Sequence, residues 1–80
     1  MENNYLVHVV DGNSGRYQIG IAEDKQKAEV LASDMIEDLG FNIGDGFLPA
    51  KKIIKLAETD DFFTEIKKIK VINKTLISWD

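Results

Sequence analysis

The stretch Tyr5-Leu6-Val7-His8-Val9-Val10-Asp11-Gly12-Asn13-Ser14-Gly15-Arg16-Tyr17-Gln18-Ile19-Gly20-Ile21-Ala22 decides the fold. Two runs rich in β-branched and aromatic residues flank a cluster of Gly, Asn and Ser that can reverse the chain, which is the signature of an antiparallel hairpin. Pairing Val10 with Arg16 sets Val9 against Tyr17, Val7 against Ile19 and Tyr5 against Ile21. That register gathers six apolar side chains on one face and leaves Leu6, His8, Val10, Arg16, Gln18 and Gly20 on the other.

Downstream, Ala28, Leu31, Ala32, Met35, Ile36 and Leu39 recur at helical spacing. They predict a helix over 24–39 whose single apolar stripe docks on the hairpin. Asp24 is placed as N-cap, Gly40 takes the left-handed position beyond the C-terminus, and Phe41 folds back on Ile36. Val30 falls opposite the stripe. A loop over 41–49 follows, with Gly44, Gly46 and the large apolar residues Phe47 and Leu48.

Residues 50–58 read two ways. Ala50, Ile53, Ile54 and Ala57 fit a short helix entered through Pro49, but Ile53-Ile54-Lys55-Leu56 also suits a strand, and a strand over 53–58 is the expectation. Thr59-Asp60-Asp61 then forms a turn that caps one helical turn through Phe62 and Phe63. A final hairpin over 66–72 and 76–79 is expected, with a three-residue loop aligning Ile69 with Trp79 and Val71 with Ile77. The resulting fold class is α+β: one domain over 1–80, an antiparallel sheet of four or five strands, and one main helix on one face, in the order ββα and then two or three strands.

Charge is uneven along the chain. Residues 1–49 carry a formal −6 and residues 50–80 a formal +2, which together make the net −4. Nine lysines against one arginine, with ten isoleucines, suggest an A+T-rich genome, bacterial or phage. The opening Met1-Glu2-Asn3-Asn4 has neither a basic nor an apolar leader region, so a soluble cytoplasmic chain is expected.

The chemistry-bearing residues are few. The 80 residues include no cysteine, which removes disulfides, thiol nucleophiles and cysteine-ligated zinc. His8 is the single histidine, so Ser14, Ser33 and Ser78 would all compete for one base. The run 11–15 starts like a calcium loop but lacks the later glutamate, and a turn accounts for it. Gly40, Gly44 and Gly46 follow a helix rather than open one, unlike a phosphate loop. Glu58, Asp60 and Asp61 suit an acidic turn better than a metal site. Asn73-Lys74-Thr75 matches a glycosylation acceptor without a secretory signal. No catalytic residue, metal or cofactor is expected.

Asp34, Glu37 and Asp38 crowd the C-terminal half of the helix, where the macrodipole disfavours negative charge. They mark an acidic face for a cationic partner. The outer sheet face with Leu6, His8 and Val10 is the alternative contact, open to a protein partner or a second copy of the chain. Lys67, Lys68 and Lys70 are the residues of the alternative function, nucleic-acid binding, although an acidic pI of about 4.9 argues against it. The leading expectation is a non-enzymatic protein-binding module, an inhibitor or adaptor carried by a phage or mobile element, with no membrane and no small-molecule substrate.

Overall fold

The computed structural model describes residues 2–44, 46–72 and 75–76. Strands β1 (Glu2–Asp11) and β2 (Tyr17–Ala22) form the hairpin, followed by helices α1 (Lys25–Asp38) and α2 (Ala50–Glu58), strand β3 (Phe62–Ile72) and a two-residue strand β4 (Thr75–Leu76). All pairings are antiparallel, in the order β2-β1-β3-β4. Three long strands therefore carry the sheet, and both helices pack against it: α1 on β1 and β2, α2 on α1 and β3. The α+β class stands. The sheet has three long strands and only a two-residue fourth, and two helices stand in place of the single main helix because 50–58 is helical.

The hairpin register differs from the expected one by one residue. Val10 pairs with Tyr17, His8 with Ile19, Val7 with Gly20 and Leu6 with Ile21. The cause lies at the turn. Asp11 remains in the ladder, its N–H donating to the Arg16 carbonyl at 2.8 Å, so the loop is 12–15 and not 11–15. The Asp11 carboxylate accepts from the Asn13 N–H at 3.0 Å and the Ser14 hydroxyl at 2.9 Å, the local side-chain closure that aspartate offers a turn. Gly15 takes φ 78°, which a side chain would resist.

Slipping by one residue turns every β2 side chain over. Val7 and Val9 still face the helices, fully buried, but opposite them stand Gln18, Gly20 and Ala22. The missing side chain of Gly20 lets α1 come close: a Cβ there would lie 2.8 Å from Met35 Cε and 3.0 Å from Leu31 Cδ2.

The helix α1 matches its expected stripe. Ala28, Ala32, Met35, Ile36 and Leu39 are buried, and Val30 is half exposed. Asp24 caps it by accepting from the Lys27 N–H at 2.7 Å. At its end the Gly40 N–H donates to the Glu37 carbonyl and the Phe41 N–H to the Ile36 carbonyl, with Gly40 at φ 110°, a Schellman closure. The Phe41 ring also meets Phe62 edge-on at 5.6 Å between centroids.

A strand over 53–58 would set Ile53, Lys55 and Ala57 on one face and bring a lysine into the core. As a helix, the segment buries Ile53 and Ala57 and leaves Lys51, Lys52 and Lys55 exposed. Thr59-Asp60-Asp61 ends α2, and β3 begins at Phe62, so the expected helical turn there is absent. Asp61 adopts φ 64°, and its carbonyl accepts from the Gly12 N–H at 2.8 Å, while Asn13 Nδ2 donates to the Asp60 carbonyl at 3.1 Å. The hairpin tip is thus fastened to the α2–β3 corner. At the other end Val71 pairs with Leu76, the register of a two-residue turn, in place of the expected pairing with Ile77. The rest of that expected strand, including Ser78 and Trp79, lies outside the described residues, as do Asn73 and Lys74.

Candidate functional site

The face of the sheet turned away from the helices is built from three strand columns. Across β2, β1 and β3 its rows are Tyr17, Val10 and Phe63; then Ile19, His8 and Glu65; then Ile21, Leu6 and Lys67. Tyr17 is 62% exposed, Ile19 57%, Ile21 52% and Phe63 58%. Leu6, His8 and Val10 are half-buried between them, on the outer face where the sequence places them. The His8 and Tyr17 rings meet edge to face at 5.7 Å. Phe63 lies against Gly12, where a Cβ would come within 2.9 Å of its ring and 2.7 Å of the Asp61 carbonyl oxygen. The array ends in the next row at Ile69, which is buried.

An antiparallel sheet with one solvated face normally alternates apolar inward and polar outward. Here β2 does the reverse, with its large apolar residues outward and Gln18, Gly20 and Ala22 inward. Sequence reasoning named Leu6, His8 and Val10 but missed Tyr17, Ile19, Ile21 and Phe63. The signal was present in Gly20, whose missing side chain marks a close approach of the helix, and in Asp11, a turn-closing residue still inside the ladder.

The acidic residues occupy a separate place. Asp34 and Glu37 are exposed on α1 and line a cleft of about 280 Å³ together with Val30, Ile43, Phe47 and Leu48. Asp38 is exposed but outside that lining. Phe47, at 96% exposure, stands at the cleft with almost no contact of its own. The α1 last turn carries no basic residue.

The three lysines divide between the two sides of the sheet. Lys67 shares the outer face with Leu6, whereas Lys68 and Lys70 pair with Tyr5 and Asn3 and share the side of Val7. Among the described residues no group of three or more His, Asp or Glu side chains is arranged to hold a metal ion. Among them, too, no helix is long and apolar enough to cross a membrane. Set against known proteins, the chain matches no family model, no curated protein and no solved structure.

Proposed function

We propose that this chain is a non-enzymatic protein-binding module whose contact surface is the outer face of the sheet. One observation carries the reading: β2 turns Tyr17, Ile19 and Ile21 away from its own helices, each more than half exposed. A contiguous apolar face of this kind is the physical mark of an interaction surface, because covering it removes water from large side chains that are more than half open. A binding assay on face and control variants tests it. Ile19→Glu is expected to abolish capture of a partner from the native host, and Lys52→Glu on α2 to leave it intact. Equal capture by both variants would refute the reading.

A second contact is supported by the acidic cleft, where Asp34 and Glu37 border Phe47. It suits a cationic segment carrying an apolar side chain. Nucleic-acid binding has less support, since Lys67 points to one side of the sheet and Lys68 and Lys70 to the other.

A further inference from the structure

We infer that the occupant of the outer sheet face is a second copy of this chain, stacked face to face in a twofold dimer. This rests on the reading of that face as a binding surface and adds the partner's identity. A twofold contact uses the same patch on both copies, so the patch must complement itself. Two successive rows of the outer array, Ile19–His8–Glu65 and Ile21–Leu6–Lys67, meet that condition.

In the β3 column Glu65 and Lys67 occupy successive rows with opposite charge. A twofold axis between those rows, lying across the strands in the gap between two sheets, lays each strand antiparallel over its own copy. Glu65 then faces the partner's Lys67, and Ile19 faces the partner's Ile21. Stacked sheets usually cross at about 30°, which displaces the β3 column by only about 3 Å at one strand spacing from β1, well within reach of these side chains. The array holds one acid and one base, so a strongly charged partner has nothing to select it there. A cationic partner would be drawn to the acidic α1 face instead.

The contact centres on those two rows, with the Tyr17–Val10–Phe63 row of each copy at its rim, which makes it a small interface of the weak, concentration-dependent kind. An α/β layer pair with one apolar face open becomes a four-layer α/β/β/α particle, with each sheet covered on both sides.

Sedimentation equilibrium of the full chain between about 5 and 500 µM tests the proposal. The wild type is expected to show a concentration-dependent monomer–dimer equilibrium. Ile19→Glu should weaken it at least about 50-fold, with far-UV circular dichroism confirming that the variant is folded, and Ile21→Ser serves as a milder second variant. Glu65→Lys and Lys67→Glu should each weaken the dimer about 10-fold, while the two together restore it to within about 3-fold. A chain that stays monomeric to 500 µM overturns the dimer, and if Ile19→Glu still abolishes capture of another protein, the binding-face reading survives alone. If face variants alter neither dimerisation nor capture, both fall. A double charge swap no better than either single change overturns the twofold placement.

Discussion

The hydroxyl of Thr64 is buried on the helix side of β3 with no hydrogen-bond partner among the described residues. An unsatisfied buried hydroxyl costs more than the contact it replaces, so Thr64→Val, which keeps the shape, is expected to raise stability by about 1 kcal/mol in urea unfolding. Asp11 behaves oppositely. The Asn13 backbone N–H, then the Ser14 hydroxyl, hold its carboxyl below the ordinary value of 3.8. The folded state therefore binds this proton more weakly than the unfolded state does. The stabilising contribution is complete above about pH 4 and is lost as pH falls through the lowered folded value. Asp11→Asn should flatten that part of the acid limb, read as the urea midpoint at pH 5 and pH 2.5. Two glycines give a further contrast. A methyl at Gly12 meets the Asp61 carbonyl, which is backbone and cannot move aside, so Gly12→Ala should cost about 1–3 kcal/mol. At Gly20 the obstruction is the tips of Met35 and Leu31, and Gly20→Ala should cost less than about 1 kcal/mol.

At the level of elements, the two faces of the sheet predict opposite responses to substitution. Ile36, fully buried on α1, should lose about 2–5 kcal/mol on truncation to alanine. Ile19→Thr on β2 should change stability by less than about 0.5 kcal/mol at low micromolar concentration, because the monomer gives it little to pack on. On α1, changing Asp34, Glu37 and Asp38 together to amides should raise the melting temperature by up to about 4 °C, since the charges oppose the helix dipole. The helix α1 was legible in the sequence, caps included, because its signals are local: spacing, Asp24 and Gly40. The hairpin was legible as a hairpin but not in register. Maximising apolar pairs favours Val7 with Ile19, whereas the fold needs Gly20 there so that α1 can approach. The helix α2 was missed because a nine-residue apolar-and-lysine run satisfies both periods, and only packing on α1 chooses between them. The candidate site was read in its β1 column and missed in its β2 column for the same reason as the register, since a one-residue slip exchanges faces.

For the whole molecule, the division of the three lysines makes a definite expectation about nucleic acid. Replacing Lys67, Lys68 and Lys70 with glutamine should leave any weak oligonucleotide binding with a similar salt slope, because no single groove gathers their charge. A steep loss of both affinity and slope in a filter-binding titration would point the other way. The longest ladder in the sheet, from Glu2 paired with Val71 to Asp11 paired with Phe62, joins residues from the two sides of the 41–49 loop. The hairpin tip is tied to the α2–β3 corner across the same divide, and α1 packs on α2. Each half therefore carries what the other is missing: the first supplies a central strand, the second the strand that flanks it and a covering helix. Severed within that loop, the polypeptide becomes a pair of complementary fragments, each too small to bury its own core and each shaped to template the other. Mixing peptides 1–44 and 46–80 should regenerate native circular dichroism with second-order kinetics, so the fold doubles as a conditional switch that reports when two tethered molecules meet.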